Sequence, residues 1–136
     1  MKKHNITLKY WDFHPPIEAV YYYYPGKNPV IGIDHKIKNE KKHFRCVLAE
    51  ELGHFFTTNQ GSIISHYHVR DRISFCRQEY DARVWAVNYL IPDQDFKRAV
   101  TTMPPWELEE FFQVDSDFIA FKLKLIKDQL LKALNF

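Results

Sequence analysis

"VLAEELGHFF", residues 47–56, stands one letter away from the pattern His-Glu-x-x-His, in which two imidazoles one helical turn apart hold a zinc ion. Glu50 occupies the place of the first histidine. The surrounding residues make the stretch helical: Phe44, Val47, Leu48 and Phe55 recur at helical spacing from about His43 to Thr57, and Asn59-Gln60-Gly61 supplies the stop. On such a helix Glu50 and His54 lie four residues apart on one face, so two side chains can grip one ion. Glu51 is turned roughly 100° from Glu50, into the arc of the apolar residues.

A carboxylate on a buried stripe is costly unless it has a partner or a task. Two readings of Glu51 follow. It is the general base of a metal hydrolase, acting on water, or it is a structural charge satisfied by an arginine such as Arg72, Arg77 or Arg83.

A metal needs at least a third protein ligand, and catalytic zinc sites keep a fourth position open. Glu79 is the best candidate. It opens a second helix, from about Arg77 to Leu90, that ends before Pro92, and it shares a face with Ala82, Ala86 and Leu90. Those small and apolar neighbours let two helices approach. A first-turn glutamate is ordinarily just a solvated acid near a helix N-terminus, so Glu79 draws its weight from residues 50–54. In "HYH", His66 and His68 would share one side of a strand, either as a source of imidazole or as two exposed histidines.

Around this centre the chain reads as α+β. "IEAVYYYY" (17–24) and "PVIGID" (29–34) flank Pro25-Gly26 and predict a hairpin, and residues 62–76 predict one or two more short strands. The charged run "HKIKNEKKH" (35–43) reads as a solvated connection without a function. After Pro92, "DQDFKRAVTT" predicts a short helix broken at Pro104-Pro105. Two more helices follow, with a turn near Gln113 to Ser116 where Asp115 or Ser116 caps the second. Phe118, Phe121, Leu125, Ile126, Leu130 and Leu134 give that last helix a broad apolar surface for packing.

At 136 residues and 46% hydrophobic, the chain has material for one sizeable core, and a single domain over 1–136 is expected. A net charge of +2 offers no excess with which to hold phosphates. The acidic start of the last helix, "DSDF", would repel a DNA backbone, so direct nucleic-acid binding is not expected. There is no Gly-rich phosphate loop and no Gly-x-Ser-x-Gly elbow. Cys46 and Cys76 form neither a secreted disulfide framework nor a thiolate zinc site. With no signal-peptide run and no membrane-length apolar segment, a cytoplasmic protein is expected.

Four features together resemble the ImmA/IrrE family of zincin-like metallo-endopeptidases: "IGID", "LAEELGHFFT", "QEYDARVWAVNYLIP" and "ELEEFFQVDSDFIAFKL", in this order over roughly residues 29–126. The resemblance implies that Glu51 is the general base, His54 the second helical ligand and Glu79 the downstream carboxylate ligand, with Glu50 in place of the first histidine. It also implies a protein substrate, a helix-turn-helix transcriptional repressor of a phage or mobile element. A Glu50, His54, Glu79 site is chemically possible for zinc, since carboxylate and imidazole bind it at similar distances. Its harder, more negative character moves preference toward manganese or another divalent ion. Tyr67, His66 and His68 are candidates for stabilising the oxyanion.

The expected architecture is a small zincin-like α+β domain, an approximately three-stranded sheet packed on the two site-bearing helices, with residues 102–136 as a C-terminal helical extension. The expected function is a metal-dependent endopeptidase. The alternative is an inactive pseudo-enzyme that binds a regulatory protein.

Overall fold

The hairpin forms where the turn residues place it. Strands β2 (Ile17–Tyr23) and β3 (Val30–Asp34) pair antiparallel, with Val20 opposite Gly32. Gly26 adopts φ +83°, a conformation that a Cβ disfavours, and the Lys27 amide donates to the Tyr24 carbonyl to close the turn. The computed structural model describes residues 5–24, 26–57, 64–69 and 77–134.

Two further strands complete the sheet. β1 (Thr7–Trp11) runs parallel to β3, and β4 (Ile64–Val69) runs antiparallel to β2, in the order β1-β3-β2-β4. The sheet therefore has four strands where about three were expected. The additional one is β1, a sheet edge with exposed Lys9 and Tyr10 and no strongly alternating pattern. Its partner lies more than 20 residues away, so local periodicity does not reveal it.

After a short 3-10 turn at His35–Ile37, helix α1 (Lys41–Thr57) crosses the sheet and is followed, beyond β4, by α2 (Arg77–Leu90), α3 (Asp93–Thr102), α4 (Pro105–Phe112) and α5 (Ser116–Ala133). α1 is the shared wall of two apolar clusters. Its Val47, with Phe44, Leu48 and Phe55 alongside, packs on Ala19, Tyr21, Ile31 and Ile33 of the sheet. Its Cys46 and Ala49 pack instead with Ala86, Val87, Phe96, Phe112 and Phe118 of the following helices. Burial on both sides explains why a single apolar stripe describes this helix incompletely.

At Gly53, α1 and α2 come into backbone contact: a Cβ there would overlap the Ala82 carbonyl. The small residues foreseen on α2 are thus used, with Ala82 and Ala86 buried. The C-terminal helices are built into the same cluster as α1 and α2. Lys122 of α5 is fully buried, its ammonium donating to Asn88 at 2.9 Å and pairing with Asp93. Among the described residues no helix is long and apolar enough to cross a membrane.

Candidate functional site

The helical period distributes the chemistry of α1 around its circumference. Glu51 follows Val47 by four residues and falls on the sheet side, where its side chain is 1% exposed. His54, also buried, lies with its ring nearly parallel to that of Tyr21 on β2, at 11° and 6.1 Å between centroids. Burial first, and then electrostatic interaction with the neighbouring Tyr23 and Glu51, push the Tyr21 phenol up to about 12. Its hydroxyl is buried and has no hydrogen-bond partner among the described residues.

Glu79 reaches the same region from α2. It sits in the first turn, three residues before the Ala82 that meets Gly53, and its Oε2 is shielded from solvent, as are Glu51 Oε2 and His54 Nδ1. The close helix contact therefore brings the segments bearing Glu51, His54 and Glu79 together. The strand carrying "HYH" also borders the site: His66 stands opposite Tyr21 in the sheet register, Tyr67 opposite Val20 and His68 opposite Ala19.

Glu50 is turned toward the helical layer. Arg83 Nε and Nη2 both donate to Glu50 Oε1, at 2.8 and 2.7 Å, with the two side chains 12% and 8% exposed. Arg83 Nη1 also reaches Asp117 Oδ2 at 3.4 Å, and the guanidinium carbon lies 5.4 and 5.8 Å from the ring centroids of Phe118 and Phe121. Of the three arginines considered as a counter-charge for Glu51, one is thus engaged with Glu50. Arg77 is exposed, and Arg72 lies outside the described residues, as does Cys76.

An imidazole with carboxylates is a suitable donor set for zinc or a harder divalent ion. His54 and Glu79 fit that chemistry with buried donor atoms, whereas Glu50 is engaged by a guanidinium. Among the described residues, no three histidine, cysteine, aspartate or glutamate side chains converge in an arrangement that holds a metal.

Beyond the Glu50–Arg83 pair opens a cavity of about 470 Å³ bounded by Glu40, His43, Asp115 and Asp117. His43, assigned no function as part of a solvated run, is instead mostly buried between two carboxylates. Its Nε2 meets Glu18 Oε1 at 2.8 Å and its Nδ1 meets Asp115 Oδ2 at 2.5 Å. Burial works against the imidazolium, but Asp115 and Glu18 outweigh it and raise the pKa to about 9. Asp115 does stand at the N-cap of α5, yet its carboxylate serves His43 rather than the helix amides. Tyr21, His43 and Arg83 are thus the residues that sequence reading left without these roles.

No curated protein and no solved structure matches the chain. Residues 1–124 match the peptidase family described as the IrrE N-terminal-like domain, whose members are typically metal-dependent. The match covers the sheet, the α1–α2 contact and the first half of α5, and the four segments noted above lie within it. The chain accordingly belongs to the IrrE N-terminal-like family and has a metallopeptidase-like domain.

Proposed function

We propose that the chain is a metal-dependent endopeptidase of the cytoplasm whose substrate is a protein, a helix-turn-helix repressor of a phage or mobile element. The observation that carries this reading is the burial of Glu51 on α1 three residues before His54, against Tyr21, in a chain of this family. A buried carboxylate is costly to keep, which supports a task for it beyond packing.

A bound divalent ion, zinc or manganese, would supply Lewis acidity to a water and to the scissile carbonyl. His54 and Glu79 would hold it; Glu50, the remaining donor of the expected set, joins them only by leaving Arg83. Glu51 takes the proton of the attacking water and returns it to the leaving amine. Tyr21 keeps the His54 ring in place by stacking and closes the sheet side of the site to solvent.

The test is Glu51→Gln, which preserves shape and removes the base. Cleavage of the repressor should fall by about 10²–10⁴-fold with the fold and metal content retained. Undiminished cleavage in that variant sinks the proposal.

The Glu50–Arg83 pair favours a second reading, a pseudo-enzyme that grips its regulator without cutting it. Metal analysis of protein purified without chelator, followed by incubation with the repressor, separates the two. Stoichiometric metal and cleavage support the enzyme; an empty site with intact binding supports the module.

A further inference from the structure

We infer that Glu50 is the buried counter-ion of Arg83, joining α1 to α2 and α5, and that it is not a metal ligand. The inference concerns the site proposed above but stands on the geometry of the pair alone. Two guanidinium nitrogens converge on one carboxylate oxygen at 2.8 and 2.7 Å, both side chains being nearly buried. Arg83 cannot shed its charge. If Glu50 turned to an ion, the guanidinium under Phe118 and Phe121 would lose its two short contacts and keep the longer one to Asp117, 3.4 Å away and more than half exposed. Breaking a buried ion pair by withdrawing one partner is among the costliest changes in a protein.

The direction of the side chain agrees. Residues 50 and 54 differ by roughly 40° around an α-helix, and Glu50 falls between His54 and the Cys46–Gly53–Ala49 arc that meets α2 at Ala82. That small rotation is enough to give Glu50 to the helical layer while His54 meets Tyr21 of the sheet. A cation fixed at Arg83 also opposes a second cation held by the same carboxylate. Arg83 is therefore a positioning residue: it fixes Glu50, and through Glu50 the register of α1 against α2.

A double-mutant cycle on the full chain tests this without recourse to cleavage. Glu50→Gln and Arg83→Met should each raise the unfolding constant by about 10²–10³-fold, measured by urea denaturation. Together they should cost at least about tenfold less than the product of the two. In zinc titrations of the folded protein, Glu50→Gln should bind with affinity within about threefold of the parent. Multiplicative effects within about twofold overturn the inference, as does zinc binding weakened about tenfold or more by Glu50→Gln and unaffected by Arg83→Met. Where a variant does not fold, Glu50→Asp and Arg83→Lys close the cycle on the same criteria. A parent that takes up no zinc leaves the decision to the cycle. Loss of the peptidase reading, through intact cleavage in Glu51→Gln, would leave both measurements unchanged.

Discussion

Glu50 and Glu51 are adjacent, chemically identical and both buried, yet they belong to different halves of the molecule. Glu50 is turned into the helical layer and meets a guanidinium; Glu51 is turned onto the sheet among Val47, Tyr21 and the ring of His54. One residue of offset, about 100° of helix, separates a charge that holds elements together from a charge kept where it can exchange a proton. Burial alone does not distinguish these tasks, because a buried carboxylate is expensive in either. What distinguishes them is the neighbour.

The comparison breaks most sharply if the two glutamines behave alike. Glu51→Gln should abolish activity, a loss of about 3–5 kcal/mol in transition-state stabilisation if the base contributes 10²–10⁴-fold, while leaving thermal stability equal or higher. Glu50→Gln should do the reverse, lowering stability by about 3–4 kcal/mol through loss of the charge pair with Arg83. Parallel kinetic and denaturation measurements on the two variants check both, and equal stability losses would remove the distinction.

On the Glu50 side, charge pairing should make stability depend on pH. The His43 pKa is raised from 6.5 to about 9. Its contribution is therefore complete below about pH 6.5 and disappears as pH rises through about 9, amounting to roughly 3 kcal/mol at about 1.4 kcal/mol per unit. Urea midpoints measured from pH 6 to 10 should fall over that window, and His43→Gln should flatten the fall. A midpoint constant across the window contradicts the pairing.

Smaller effects sharpen the contact between the two sides. Gly53→Ala introduces a Cβ against the Ala82 backbone, and separating α1 from α2 should cost about 1–3 kcal/mol in denaturation. On the sheet side, Tyr21→Phe removes a buried hydroxyl that finds no partner among the described residues, so stability should hold or improve by about 1 kcal/mol. A loss of similar size would reveal a partner for that hydroxyl.

The helical boundaries and the hairpin were legible because local chemistry sets them: Pro92 and Pro104-Pro105 bound α3, and Gly26 takes the positive φ of the turn. Glu51 was legible as a buried acid for the same reason, its position on the helical period. The partnerships were not. His43 meets carboxylates 25 and 72 residues distant, and Glu50 meets Arg83 across 33 residues, separations over which no periodicity carries information. Treating α1 as having one buried stripe also hid its second buried side, and with it the choice of face for Glu50. On α5, Phe118 and Ile119 are buried as a packing surface should be, but Leu130 near its end and Leu134 just beyond it are 60% and 64% exposed.

Lys122 turns the docking of that helix into a chemical signal. A primary amine with 0% exposure, held by Asn88 and Asp93, is closed to acylating reagents while α5 stays seated, whereas ordinary surface lysines react at once. Pulse labelling followed by peptide mass analysis would therefore time the undocking of α5 at a single atom, and would register a partner that pries this helix away even when no bond in the chain is cut.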